Sequence, residues 1–215
     1  MSSVRISGGT LRGRKVLLPR GELRPTSSRA REAYFNVIAP RIEGARFLDL
    51  FSGTGVFSLE AASRGAASIV AVDSSSRAVR ALAELARTWE LPIRTIAADA
   101  ALAVERLRDE LPFDLVYADP PYDYPSYAAL LGAIDRELPL SPEAVVAVEH
   151  RSGPPPFAPE ELTSLVFRKS SRYGNVSISY FEKKKPGNGP FTAGVQRSEP
   201  ASGTDEAGEM DEPCH

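Results

Sequence analysis

The 215-residue chain is 42% hydrophobic and 25% charged with a net charge of −2, apolar enough for one α/β domain with appendages. It has no run of about eighteen apolar residues and no charged-then-apolar leader at Met1, so a soluble, cytoplasmic protein with no membrane partner is expected. A single cysteine, Cys214, and two histidines exclude an internal disulfide and give no metal-ligand cluster, so no metal is expected.

The modest net charge hides an asymmetry. Between Arg5 and Arg31 there are eight basic residues against one acid, Glu22, whereas the six charged residues from Glu199 to Glu212 are all acids. A basic N-terminus suits a phosphate backbone, and a solvated basic face is the plain alternative. At the start of the chain, VRISG and KVLLP read as two short strands around a glycine-containing turn, a hairpin that brings Arg12, Arg14 and Lys15 together. Arg24-Pro25-Thr26-Ser27 follows as a rigid turn. Ser27 or Ser28 then caps a helix through AREAYFNVIA, with Tyr34, Phe35, Val37 and Ile38 on its apolar side. Arg29 and Arg31 stand near that helix start, against the macrodipole, which points either to an anionic ligand or to long exposed arginines.

Residues 45–52, ARFLDLFS, form a predicted strand, and Gly53-Thr54-Gly55 turns directly into an amphipathic helix, VFSLEAASRG. Backbone approach at Gly53 and Gly55 would let a ligand meet the loop amides and the helix N-terminus. The next strand, SIVAVD, closes at Asp73, about twenty residues beyond the glycines, where nucleotide-binding folds grip a ribose diol. A long helix follows, capped by Ser74 or Ser75, with Val79, Leu82, Leu85 and Ala86 inward and Trp89 as core or lid. PIRTIAAD ends at Asp99, which either accepts from an adenine amino group or caps the helix ALAVERLRDEL.

FDLVYA then reads as a buried parallel strand ending in Asp119-Pro120-Pro121-Tyr122. Two prolines fix φ and lack donors, so the loop is stiff at the ligand-facing ends of the strands. Asp119 and the Pro120 carbonyl can each accept one N–H of an exocyclic amine, and the Tyr122 ring can stack on its base. Beyond a helix over residues 126–137, AVVAVEH is a further buried strand whose Glu149 and His150 end at the same rim; a lone histidine there reads as packing or surface. LTSLVFRKSSRYGNVSISYFEK gives two strands around Arg172-Tyr173-Gly174-Asn175, and residues 186–215 have the composition of a disordered acidic tail.

In this order, ISGGTLRGRK, RPTSSRAREAYFNVI, FLDLFSGTGVFSLEAASRGA, FDLVYADPPY and RYGN resemble the RsmD family of bacterial small-subunit ribosomal RNA guanine-N2 methyltransferases, from about Val4 to Lys183. The resemblance implies an α/β fold of the class I S-adenosylmethionine-dependent, Rossmann-like type. Its sheet is mostly parallel with an antiparallel C-terminal strand, behind a small N-terminal β-hairpin. With the tail read from its composition, the chain divides into a basic hairpin extension (residues 1–24), a methyltransferase domain (25–185) and the tail (186–215). It implies S-adenosyl-L-methionine as cofactor, with Asp49, Phe51, Gly53 and Gly55 along its methionine side, Asp73 at the ribose and Asp99 at the adenine. Asp119, Pro120 and Tyr122 would meet the target base, and Arg24 and Thr26 would lie over the cofactor or the incoming RNA. Arg12, Arg14, Lys15, Arg24 and Arg29 become candidate contacts to ribosomal RNA, within a small-subunit assembly particle, for a protein acting as a monomer. Ser58 stands where the family usually has glycine, Leu85 where it commonly has asparagine, and the acidic tail lies outside the pattern. The competing expectations are an adenine-N6 or cytosine-N4 methyltransferase acting on DNA, a nicotinamide-dependent oxidoreductase, and a non-catalytic RNA-binding factor.

Overall fold

The glycine turn and the proline loop lie at the same edge of a seven-stranded sheet, because the strands that lead into them are parallel neighbours. The computed structural model describes residues 2–18 and 28–184, all within one compact unit, Met1–Lys185. The predicted tail, and with it Cys214, lies outside the described residues, as do Arg24 and Thr26.

Strands β1 (Ser2–Arg5) and β2 (Lys15–Leu18) pair antiparallel as the expected hairpin. Helix α1 (Ser28–Ile38) buries Tyr34, Phe35 and Ile38, while Val37 is exposed because it falls off the inward stripe. There follow β3 (Arg46–Leu50), α2 (Val56–Ser63), β4 (Ser68–Asp73), α3 (Ser76–Thr88), β5 (Ile93–Ala97), α4 (Ala100–Arg106), β6 (Phe113–Ala118), α5 (Tyr127–Glu137) and β7 (Leu140–Arg151). The last two strands, β8 (Leu165–Tyr173) and β9 (Val176–Lys183), form the predicted C-terminal hairpin.

The order across the sheet is β5-β4-β3-β6-β7-β9-β8. Strands β5 to β7 are parallel, and β9 enters antiparallel between β7 and β8. Side chains alternate between two cores. Leu48, Leu50, Val116, Ala118, Val146 and Val148 face α4 and α5. Phe47, Leu115, Tyr117 and Ala147 face α1 and α2. A third cluster joins the hairpin to the rest through Ile6, Val16, Leu59, Ala71 and Leu82. No described helix is long and apolar enough to cross a membrane.

Helix α2 departs from its predicted amphipathic character. Seven of its residues are buried, among them Ser58, Glu60 and Ser63, because the hairpin covers the side that the sheet leaves open. Each polar group is met on arrival. The Ser63 hydroxyl donates to Gly8 O (2.5 Å) and accepts from Leu11 N (2.8 Å). Glu60 Oε1 accepts from Ser7 N (2.8 Å) and from Arg31 Nε (3.0 Å), while Arg64 pairs with Oε2. Arg31 is therefore a buried structural partner of Glu60, and the reading of it as a surface arginine or anion ligand is corrected.

Candidate active site

Strand register brings the predicted site residues into one row. Leu50 pairs with Val72 and with Ala118, and Ala118 pairs with Val148. The next residue on each strand gives Asp73, Phe51, Asp119 and Glu149 side by side across four neighbouring strand ends. Two residues lower, Asp49 and Tyr117 pair on the face covered by α1 and α2. This edge is the carboxyl end of the parallel strands, where open α/β sheets take their ligands.

The glycine turn is held by an acid. Asp73 accepts from Gly53 N (2.7 Å) through Oδ2 and from Ser75 N (2.8 Å) through Oδ1, tying the loop to the start of α3, which Ser75 caps. The two glycines serve different ends. Gly53 has φ +50° and a side chain there would meet nothing nearer than Phe51 O at 4.0 Å, so its Cα faces open space. Gly55 has φ +76°, and a Cβ would lie 2.3 Å from Leu82 Cδ1, so its bareness serves the packing of α3 rather than ligand approach. Phe51 has a positive φ of 65°, rare for a bulky residue and typical of a functional edge, and its ring meets Tyr124 edge-on at 5.2 Å.

Asp99 caps α4, accepting from Ala101 N (2.9 Å) and Leu102 N (3.4 Å) through one carboxylate oxygen, Oδ1. The proline loop is braced from below. The buried Tyr127 hydroxyl lies 3.2 Å from Pro120 O and 3.3 Å from Pro121 O, and burial followed by the Asp119 charge pushes it up to about 12. Tyr122 carries the Arg151 guanidinium 5.4 Å over its ring. Sequence reasoning passed over Tyr124, Tyr127 and Arg151, and only the two tyrosines left a signal, as aromatic residues within seven positions of the prolines.

Asp49 is buried beneath this row, with Oδ2 accepting from Ser58 N (3.0 Å) and the Ser58 hydroxyl (2.5 Å). Burial, and then the charges of Asp119 and Asp73, raise it to about 7 against the pull of Ser58. Glu149, also buried, accepts from the Tyr117 hydroxyl at 2.6 Å and is raised to about 8, first by burial and then by Asp119. His150 belongs to packing. Its ring nitrogens lie 2.9 Å from Arg151 O and 2.9 Å from Ser179 Oγ, and burial lowers its pKa.

The turn of the basic hairpin docks away from the rim. Arg14 lies over Trp89, 4.7 Å from the ring, just past the end of α3. Thr10 N bonds Ser63 O (2.7 Å) at the end of α2. Both helices start at the rim and run away from it, and the 13 residues of α3 span about 20 Å. Arg12, Arg14 and Lys15 are exposed there, and Arg29 is exposed on the first turn of α1.

A family model described as Conserved hypothetical protein 95 matches residues 4–182. Ribosomal RNA small subunit methyltransferase D of Escherichia coli K12 is 32% identical over 147 residues, 68% of this chain and 74% of its own length. The chain belongs to the RsmD family. The Bacillus subtilis protein YlbH is 30% identical over 84% of this chain and 100% of its own. Among solved structures, Escherichia coli yhhF matches with a TM-score of 0.74 at 26% identity, covering 85% of this chain and 99% of its own. The fold is that of a class I, Rossmann-like methyltransferase, as the sequence implied.

In this RsmD-family chain, Ser58 turns its hydroxyl onto Asp49. The raised acids have a thermodynamic consequence. A carboxyl whose folded pKa exceeds its unfolded value contributes stability that is full below the unfolded value and is lost as pH rises through the folded one. For Asp49 the window runs from 3.8 to about 7, and for Glu149 from 4.5 to about 8. The unliganded protein is therefore expected to lose stability from mildly acidic pH towards pH 8, at up to about 1.4 kcal/mol per pH unit for each group. Thermal melts across that window check this, and Glu149→Gln should flatten the upper half of the slope.

Proposed function

We propose that the protein transfers a methyl group from S-adenosyl-L-methionine to the exocyclic N2 amine of a guanine in small-subunit ribosomal RNA. The observation that carries this reading is the row of Asp73, Phe51, Asp119 and Glu149 in a chain of the RsmD family, with Pro120 and Tyr122 immediately beyond Asp119. The residues present fit the cofactor. Ser52 Oγ, at the glycine turn, is buried with no hydrogen-bond partner among the described residues, Gly53 faces open space, and the surrounding acids suit a cationic group and a ribose diol. Asp49, Phe51 and Gly53 would line its methionine side, with Gly55 seating the turn against α3, while Asp73 would hold the ribose and Asp99 the adenine through the carboxylate oxygen that the cap leaves over.

The cofactor supplies a methyl group already activated on sulfonium, so the chain's contribution is placement. Asp119 and the Pro120 carbonyl accept the two N–H groups of the amine, Tyr127 holds that carbonyl in place, and Tyr122 stacks on the base drawn out of the RNA. When bound, the cofactor would supply the methyl carbon to the nitrogen lone pair and would keep the carbon–sulfur electron pair as a thioether. Asp119 stabilises the charge developing on nitrogen and takes the proton it sheds. A small site on a large RNA requires only a monomer, acting in the cytoplasm on an assembling small-subunit particle.

The deciding experiment is tritium transfer from labelled cofactor to small-subunit ribosomal RNA or particles from cells lacking this protein, followed by nucleoside digestion. Label in N2-methylguanosine is expected. Label in another nucleoside, or transfer to DNA alone, overturns the assignment. Asp73→Ala should weaken cofactor binding before it affects chemistry, by about tenfold or more in Kd as read by isothermal titration, since it also releases the Gly53 and Ser75 amides. In the hairpin, the double variant Arg12→Ala/Lys15→Ala should lower the salt dependence of RNA binding by one to two phosphate contacts, each worth a slope of roughly 0.7 to 0.9, and leave cofactor affinity alone. A filter-binding salt series measures the slope.

A further inference from the structure

The end of β7 and the C-terminal hairpin take no part in the proposed reaction, yet register brings them to the same rim. Arg151 pairs with Val176 and Val176 with Tyr173, so these three form a second row across β7, β9 and β8. That row stands two residues, about 7 Å, beyond Glu149 and the site row. Residues two apart on a strand share a face. Ala147, Val176, Ile178 and Tyr180 belong to the core under α1 and α2, so Arg151 on β7 and Lys169, Ser171 and Tyr173 on β8 lie on the face that carries Tyr117. Cations and rings alternate there. The Arg151 guanidinium lies 5.4 Å over the Tyr122 ring and the Lys169 ammonium 5.3 Å over the Tyr180 ring. Both cations are exposed, while Tyr122 and Tyr173 are half-buried against the core, which steadies each ring and leaves part of it in solvent. The acids on this face have positions of their own. Asp119 stands in the site row, Glu149 accepts from the Tyr117 hydroxyl, and Glu182 is paired with Arg41 and Arg168.

We propose that Arg151, Tyr173 and Lys169 form an RNA-binding surface beside the site, which takes the single-stranded nucleotides flanking the target guanine. A base can leave its stack only where its neighbours are loosened, and loosened nucleotides are held by aromatic faces that replace stacking and by cations that follow the phosphates. A cation resting on a ring still carries its whole charge to a phosphate. Arg151 holds the phosphate next to the guanine on Tyr122, and Tyr173 stacks on a neighbouring base. Lys169, four residues or about 13 Å down the edge strand β8, meets a phosphate further along. The turn of the N-terminal hairpin docks away from this rim, so the nucleotides nearest the target need contacts from other elements. The inference rests on the proposed reaction for the target base and on the sheet register for the surface.

The test is binding of the full-length protein to a short oligouridylate containing 4-thiouridine, followed by irradiation and mapping of the cross-linked peptides. Cross-links to peptides holding Arg151 or Tyr173 are expected, and cross-links confined to the N-terminal hairpin overturn the proposal. Tyr173→Leu, which keeps an apolar side chain against the core, should weaken binding roughly five- to hundredfold, the loss of one stacked base, whereas Tyr173→Phe should bind within about twofold of the wild type. Lys169→Ala should lower the salt slope by about 0.7, one phosphate contact on a single strand. Isothermal titration with S-adenosyl-L-methionine should give wild-type affinity in each variant, so that lost RNA binding is not lost folding. In transfer assays on small-subunit ribosomal RNA, Tyr173→Leu and Lys169→Ala should raise KM for RNA more than they lower kcat. Unchanged RNA affinity in both variants, with N2-methylguanosine still formed, overturns the surface alone. Expected cross-links and binding losses without N2-methylguanosine overturn the proposed reaction and leave the surface standing.

Discussion

Asp119→Ala is expected to slow methyl transfer by about 10²- to 10⁴-fold, the range for removing a positioned acceptor of a proton or developing charge. Cofactor affinity should stay within a few-fold, because the glycine turn is tied by Asp73 and not by Asp119. Global stability should hold or rise, since the Asp119 charge raises both Asp49 and Glu149 and its removal relieves them. Single-turnover transfer, isothermal titration and a thermal melt read the three quantities. The site assignment is wrong if Asp119→Ala abolishes cofactor binding while Asp73→Ala leaves it intact.

The largest stability effect should come from a residue outside the reaction. Glu60 is fully buried and joins three partners, Arg31 from α1, Arg64 just past the end of its own helix and the Ser7 amide from the hairpin. Glu60→Ala strands the Arg31 guanidinium, itself only 5% exposed, without a counter-charge, and should cost about 3–5 kcal/mol. Replacing Arg31 and Glu60 together, with Arg31→Met and Glu60→Leu, should recover much of that loss because the buried Arg31 charge goes with its partner and only Arg64, which reaches solvent, loses its counter-charge. Urea unfolding of the three proteins measures both steps. A single-variant loss under about 1 kcal/mol would mean that water reaches Arg31 when the hairpin loosens.

Much of the site was legible because its signals are local. The glycine turn, Asp73 at the end of SIVAVD and the two prolines after Asp119 each constrain a few consecutive residues, and each appears at a strand's carboxyl end. Asp99 was readable only as a choice between cap and ligand. The cap is observed, because its side chain sits at the first free amides of α4. Helix α2 was misread because Ser58, Glu60 and Ser63 look solvent-facing in sequence, whereas their partners Gly8, Leu11 and Ser7 lie more than fifty positions away and Asp49 lies on the preceding strand. The hairpin arginines were rightly placed on a turn, but nothing in their own sequence says that the turn docks at the far end of α2 and α3.

By itself the sequence determined the strand–turn–helix units, the rigid proline loop, the basic hairpin and the family, since these depend on short-range periodicity, fixed φ angles and motif order. Only the tertiary structure decided that Asp73, Phe51, Asp119 and Glu149 stand in one row, that Glu60 seats the hairpin, and that burial raises the proton affinity of Asp49 and Glu149. Those properties come from which strands become neighbours and which groups lose water. Both are set by packing between segments far apart in the chain.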